Sequence, residues 1–279
     1  MLDSEQLKRG AEAIAEAEAI VITAGAGMGV DSGLPDFRGN EGFWNAYPPY
    51  RHLGKSFMEM ANPHWFSKDP SYAWGFYGHR RNLYRATKPH EGFSILLAWA
   101  SSKPLSYFVF TSNVDTHFHK AGFDGDRIVE CHGSIEWDQC FEDCSSHIFP
   151  AAPEPVIIDE STMQARPPLP SCPHCKGLSR PNILMFGDFG WLSHREHEQY
   201  SRLEEWLRAV KGKKMAVIEC GAGISIPTVR HFSESLLDRA ESTTLIRINV
   251  RDPQAPYGQV SLPGGALASL QELDTLIKA

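Results

Sequence analysis

The chain has 279 residues, 42% of them hydrophobic and 22% charged, with a formal net charge of −7. That size and balance suit a globular α/β protein, either one large domain with insertions or two domains, and the negative charge argues against a nucleic-acid-binding surface overall. No apolar run approaches the roughly 20 residues of a membrane helix, and the Glu- and Ala-rich start lacks a signal core, so a cytoplasmic protein is expected.

Ser4 to Ala19 reads as a helix capped by Ser4, with Leu7, Ala11, Ile14 and Ala15 at helical spacing. Ile20–Ala24 is a short apolar run that predicts a buried strand. It feeds Gly25-Ala26-Gly27 and, further on, Pro35-Asp36-Phe37-Arg38. A strand entering a glycine turn is how open α/β sheets hold phosphates, because free N–H groups attract anions there. The carboxylate, ring and guanidinium of Asp36, Phe37 and Arg38 are parts that could handle a ribose, a flat base and a phosphate. The match to GxGxxG is partial, and a tight strand-to-helix loop is the plain alternative.

Residues 42–88 are rich in aromatics and prolines and read as an inserted helical module. Tyr77 and Arg80, three apart on one predicted helix, share a side. They are either a packing pair or a hydroxyl and a guanidinium aimed at a substrate carboxylate. Glu91–Ala100 is the next helix. The strand Tyr107–Phe110 ends in Thr111-Ser112-Asn113-Val114-Asp115, which puts polar groups where such sheets bind ligands. Asn113 and Asp115 could equally cap the helix that follows. Arg127–Cys131 is a short strand ending at His132-Gly133, where a loop opens.

Cys140-x3-Cys144 and Cys172-x2-Cys175 are two close cysteine pairs across an irregular, Pro-rich stretch. Without a secretory signal, six cysteines point to metal or free thiols rather than to disulfides. Four thiolates around a tetrahedral zinc leave no position for water, so the predicted site is structural. His174, inside the second pair, is read as pointing elsewhere. The run Arg180–Asp188 suggests an exposed edge able to pair with an extended peptide. Then come a charged helix (Arg195–Lys211), a strand (Lys214–Cys220) into Gly221-Ala222-Gly223, a helix (Val229–Ala240), a strand (Thr244–Asn249) and a last helix (Leu267–Lys278). Strands alternating with helices predict a mostly parallel, doubly wound sheet.

Gly-Ala-Gly with Pro-Asp-Phe-Arg, Thr-x-Asn-x-Asp, His-Gly and four paired cysteines, in this order, resemble the sirtuins, NAD-dependent protein deacylases, in a divergent bacterial-type form. The resemblance runs from about Val21 to Asn249. It implies an α/β fold: a Rossmann-like doubly wound parallel sheet with a smaller domain made of a zinc ribbon and a helical module. The implied division is 1–41, 89–135 and 183–279 for the NAD-binding domain, 42–88 for the helical module and 136–182 for the ribbon. The implied cofactors are NAD and a structural zinc ion on Cys140, Cys144, Cys172 and Cys175. The implied partner is an acylated-lysine protein or peptide, without membrane or nucleic acid.

By the same resemblance the acyl oxygen displaces nicotinamide, with His132 as general base and Asn113 orienting the ribose or a water. Gly25, Ala26, Gly27, Asp36, Phe37, Arg38, Ser112 and Asp115 would line the reacting half of the cofactor. Gly221, Ala222, Gly223 and Asn249 would hold its adenosine half. Phe186 and Gly187 would lie along the peptide. Tyr77 and Arg80 fall where one branch of the family binds malonyl or succinyl carboxylates, an acidic-acyl preference that two-pronged arginine bonding would serve. Departures from the family pattern cluster on the cofactor: Ser112 replaces a glutamine, His117-Phe118 a Leu-His pair, Gly29 a serine and Gly221-Ala222-Gly223 a Gly-Thr-Ser turn. ADP-ribosyl transfer or NAD hydrolysis on the same scaffold, or a non-catalytic reader of NAD or ADP-ribose, are the alternatives.

Overall fold

The computed structural model describes residues 3–35, 54–237, 239 and 242–279. The chain runs through α1 (Ser4–Glu16), β1 (Ala19–Ala24) and a 3-10 turn (Ala26–Ser32) to α2 (Phe57–Met60), α3 (His64–Lys68) and α4 (Pro70–Ala86). Next come α5 (Glu91–Ser101), β2 (Tyr107–Thr111), α6 (His117–Lys120) and β3 (Ile128–Glu130). Five short strands follow: β4 (Gly133–Cys140), β5 (Ile148–Pro150), β6 (Ile158–Asp159), β7 (Gln164–Ala165) and β8 (Ser179–Ile183). The rest is α7 (His194–Ala209), β9 (Met215–Cys220), α8 (Thr228–Ser235), β10 (Thr243–Ile248), β11 (Val260–Leu262) and α9 (Ala266–Lys278).

Six strands form one sheet in the order β11-β10-β9-β1-β2-β3, every pairing parallel. Successive side chains of a strand point to opposite faces. Ile20, Ile22 and Ala24 accordingly pack with Leu7, Ile14, Phe93 and Leu270 from α1, α5 and α9. Ala19 and Val21 pack with Leu203, Leu207, Val229 and Phe232 from α7 and α8. Burial on both faces is why these strands read as continuous apolar runs rather than as alternations.

The first helix starts at Ser4 as expected but ends at Glu16, and its cap is Asp3 rather than Ser4: the Asp3 Oδ1 accepts from the Glu5 N–H at 2.9 Å. The helix expected over Val229–Ala240 is shorter, ending at Ser235. β11 was not foreseen, since Val-Ser-Leu is too short to show a period.

The chain leaves β1 for β2 and β3 on one side and returns to β9, β10 and β11 on the other. The carboxyl ends of β1 and β9 therefore meet at the topological switch point, where open α/β sheets form their binding crevice.

A second apolar core lies beyond those strand ends. It gathers Phe66, Trp74, Phe76 and Tyr77 of the helical segment with Ile135, Val156, Met163 and Ile183 of the short strands. β4 is the middle strand of an antiparallel sheet, order β5-β4-β8. Side-chain bonds fasten α4 to that sheet. Trp74 Nε1 donates to the Ser179 carbonyl at 3.0 Å, and the buried Arg81 pairs with the buried Asp138 while donating to the Ile135 carbonyl at 2.9 Å.

Candidate active site

The two glycine turns are built against each other. Gly25 N donates to the Cys220 carbonyl at 3.0 Å, and Gly27 N donates to the Gly221 carbonyl at 3.0 Å. A Cβ on Gly25 would stand 2.8 Å from Ala222 Cα. One on Gly221, whose φ is +65°, would stand 2.4 Å from the Gly27 backbone. Only glycine at both places lets the turns close this far, and only glycine takes the left-handed φ without strain. The exposed Ala26 crowns the first turn, and the half-buried Gly223 follows the second.

The next strand end joins them. Asn113 Nδ2 donates to the Gly25 carbonyl at 3.0 Å, and Asn113 N is held by Thr111 Oγ1 at 3.0 Å. Ser112 N donates to the Ala24 carbonyl at 3.1 Å. The half-buried His132, which follows β3, has the Ser112 backbone beside its ring. Burial lowers the His132 pKa, a shift that the Ser112 backbone partly opposes. The imidazole is therefore neutral at pH 7. Asp115 is buried, and its carboxyl pKa is raised by that burial. Its Oδ1 accepts from His117 N at 2.9 Å, at the start of α6, as local capping predicts. Its Oδ2 faces Gly29, where an added Cβ would lie 3.6 Å away.

On the other side of the switch point, Asn249 Nδ2 donates to the Ala222 carbonyl at 2.6 Å. Its Oδ1 accepts from Arg251 N and Asp252 N at 3.0 and 3.1 Å, so one amide braces two turns. A cavity of about 180 Å³ opens here, lined among others by Gly27, Asp31, Gly221, Asn249, Arg251 and Gly265. A wider hollow of about 520 Å³ is lined by α7 residues alone and holds none of these groups. Asp36, Phe37 and Arg38 lie outside the described residues.

Tyr77 and Arg80 are both buried in the second core. Tyr77 stacks on Phe66, and its hydroxyl is pushed to a higher pKa by burial, so it is a protonated donor at neutral pH. Arg80 Nε and Nη2 donate to Tyr84 Oη at 3.0 and 2.7 Å. Its guanidinium lies 5.7, 5.2 and 5.4 Å from the Phe57, Phe76 and Tyr84 ring centres. Phe186 meets Phe57 edge to face at 6.3 Å, and Phe186 N donates to the Ala61 carbonyl at 2.9 Å. Gly187 has φ +68° in a turn held by the buried Arg180–Asp188 pair. The run that sequence suggested as an exposed edge is thus divided: Ser179–Ile183 is buried in β8, while Leu184 and Phe189 are exposed.

The four cysteines converge. Cys140, Cys144, Cys172 and Cys175 place their sulfurs within 4.8 Å of one another, with Cys140–Cys175 and Cys144–Cys172 both at 3.6 Å. Sulfurs about 2.3 Å from one tetrahedral ion would be about 3.8 Å apart, and a disulfide would bring them to about 2.05 Å. The donor set and spacing fit zinc.

Sequence reasoning missed three supports. Tyr84, which holds Arg80, sits four residues on, on the same helical face, and that spacing was there to be used. Lys120 Nζ donates to the carbonyls of Tyr84, Arg85 and Thr87, tying the strand-end loop to the end of α4. Arg180 and Asp188 carry no local pattern that marks them as a pair.

The model of the Sir2 family matches residues 25–207. The chain is 30% identical over 264 residues to the NAD-dependent protein deacylase 1 of Archaeoglobus fulgidus, covering 93% of each chain. It is 33% identical over 199 residues to the mitochondrial NAD-dependent protein deacylase sirtuin-5 of Danio rerio, covering 66% of this chain and 62% of that protein. It superposes on the crystal structure of a Sir2 homologue–NAD complex with a TM-score of 0.67 and 26% identity, covering 99% of this chain and 94% of the other.

Proposed function

The chain belongs to the Sir2 family, and on that premise we propose that it is an NAD-dependent deacylase of lysine side chains in proteins or peptides. The products would be free lysine, nicotinamide and O-acyl-ADP-ribose. The observation that carries this reading is the gathering of Gly25, Asn113, Ser112 and His132 at adjoining strand ends, with Asn113 bonded to Gly25 and Ser112 to Ala24.

NAD would lie against the paired glycine turns, whose backbones close on each other at the switch point and line a cavity with Asn249. When bound, it supplies an electrophilic sugar carbon with nicotinamide as leaving group. Asn113 presents its amide to the sugar or to a water, already oriented by the Gly25 carbonyl. The Ser112 backbone beside the ring would take one imidazole N–H of His132, which leaves the other nitrogen to take a proton from a ribose hydroxyl. An imidazole with a lowered pKa is in its basic form at neutral pH. Asp115 offers Oδ2 towards the turn, where it would receive the nicotinamide amide.

The division into 1–41, 89–135 and 183–279, with 42–88 and 136–182 as the smaller unit, belongs to the same reading and is supported by an apolar core of its own around α4, apart from the two on the faces of the parallel sheet. The acyl-lysine would enter between those units, past Phe186 and Gly187. Zinc on the four cysteines would hold the ribbon and take no part in the chemistry. Arg80 and Tyr77, buried among rings, would prefer an acyl group ending in a carboxylate, since a carboxylate satisfies a buried guanidinium better than a methyl does. Four cysteines gathered as metal ligands, with no disulfide among the six, support a cytoplasmic setting. Among the described residues no helix is long and apolar enough to cross a membrane.

The test is a panel of acetyl-, malonyl- and succinyl-lysine peptides with NAD, read by mass spectrometry. Acylated ADP-ribose is expected, and free ADP-ribose alone would overturn the deacylase reading. Equal kcat/KM for acetyl and succinyl forms, unchanged by Arg80→Met, would remove the acidic-acyl preference.

A further inference from the structure

Beside the four-cysteine cluster lies a pair of side chains that neither the fold nor the proposed reaction uses. His147 follows Cys144 by three residues, and His174 stands between Cys172 and Cys175, so each arm of the cluster carries one imidazole. The rings meet, with His147 Nδ1 and His174 Nε2 3.2 Å apart and the ring centres 5.2 Å apart. Both side chains are exposed. The nearby Lys176 ammonium donates to the Pro173 carbonyl at 2.8 Å.

We propose that His147 and His174 form a second metal site, a surface chelate for one divalent transition cation of the nickel, copper or zinc class. Two nitrogens 3.2 Å apart, each about 2.1 Å from a shared ion, subtend about 100° there. That angle lies between octahedral and tetrahedral, so both nitrogens can bind without moving apart. Imidazole is a donor these cations select, and water completes the shell of an exposed ion. Charge favours the position as well. A zinc ion with four thiolates is formally a dianion, so a cation on its rim is attracted to the cluster.

A hydrogen bond between two neutral rings gives the same separation, and metal binding separates the two readings. The zinc-loaded full chain is titrated with nickel ion by isothermal calorimetry, and its zinc content is measured before and after. One nickel per chain is expected, with zinc unchanged. His147→Gln and His174→Gln should each weaken that event about tenfold or more, as loss of one arm of a two-point attachment does. His194→Gln, which alters one of the two exposed histidines His194 and His197 of α7, should leave it intact. Both test positions are on the surface, and retained zinc shows that the variants are folded. Nickel binding that is equal in the wild type and both variants, or nickel that expels zinc one for one, would overturn the site.

Discussion

The side-chain amide of Asn113 donates to the main-chain carbonyl of Gly25 across 3.0 Å, linking the end of β2 to the first glycine turn. The two residues are 88 positions apart, yet the parallel register of β1 on β2 places Ala24 beside Thr111, one residue before Gly25 and two before Asn113. The bond uses the nitrogen of the amide and leaves its oxygen for another partner. Asn113→Asp keeps the shape and puts an acceptor against an acceptor. Losing such a bond costs about 1–3 kcal/mol where the partner stays desolvated. NAD affinity measured by calorimetry should fall about tenfold, equivalent to about 1.4 kcal/mol. Unchanged affinity would show that the turn does not need this brace.

Gly221→Ala should be more damaging than its one methyl suggests. A left-handed conformation costs a non-glycine residue about 1–2 kcal/mol. The new Cβ would also stand 2.4 Å from the Gly27 backbone, and overpacking of that kind adds about 1–3 kcal/mol. Gly258→Ala is the control: its φ is +79° with nothing within 4 Å of the added carbon, so only the backbone cost remains. Thermal unfolding should place Gly221→Ala well below Gly258→Ala, and only the former should lose NAD binding. Equal Tm values would mean that the two turns can separate freely.

The sheet was legible because its strands are buried on both faces. Ile20–Ala24 and Lys214–Cys220 are apolar runs bounded by glycine, and such runs announce themselves without any partner. The cysteine pairs were legible because metal chemistry fixes their spacing. β4 to β8 were not. Strands such as Ile158–Asp159 and Gln164–Ala165 have two residues each, pair with each other and are held in place by packing on α4. Arg180–Asp188 and Arg81–Asp138 were invisible for a related reason: a buried ion pair is a tertiary contact with no local period. At the site, residue types at strand ends could be read, but the bond from Asn113 to Gly25 depends on register, which no single segment carries.

His132 supplies a pH test with a definite sign. Burial lowers its pKa below the ordinary histidine value of about 6.5. The proposed role needs the neutral ring, so activity is present above the folded-state pKa and is lost as pH falls through it. The acid limb of kcat/KM should therefore centre below about pH 6.5. His132→Ala should lower kcat by about 10²–10⁴ with little change in NAD affinity. A limb centred above 6.5, or one that persists in the variant, would assign the titration to another group.

Cys172 is the more buried partner of the 3.6 Å pair with Cys144 and should be indispensable to the ribbon. Structural zinc contributes about 10–16 kcal/mol in small metal-dependent folds, more than this small sheet could supply by packing. Cys172→Ala should lose zinc by elemental analysis, open residues 133–183 to protease and abolish turnover. The six-stranded sheet rests on its own cores and should keep its far-ultraviolet signature. A metal-free variant with wild-type Tm would refute the structural role.

Arg81 and Asp138 also tie α4 to the ribbon, and both are buried. Burial raises the Asp138 pKa despite the guanidinium beside it, which pulls the other way. Removing one member of a buried pair leaves an uncompensated charge and costs about 3–5 kcal/mol. Arg81→Met should lose that much in denaturant unfolding, along with the bond to the Ile135 carbonyl. Without its counter-charge the Asp138 carboxyl pKa must rise further in the folded state. The folded form then binds a proton that the unfolded chain, with an ordinary aspartate pKa of about 3.9, does not. The stability of Arg81→Met should therefore recover as pH falls from 7 towards 5, against the direction of a carboxylate held low by its partner. The double variant Arg81→Met/Asp138→Leu should regain much of the loss at pH 7 and show little of this slope. A single variant as unstable at pH 5 as at pH 7 would mean that the cost comes from lost packing on Trp74, over which the guanidinium lies at 4.9 Å, and not from the stranded carboxylate.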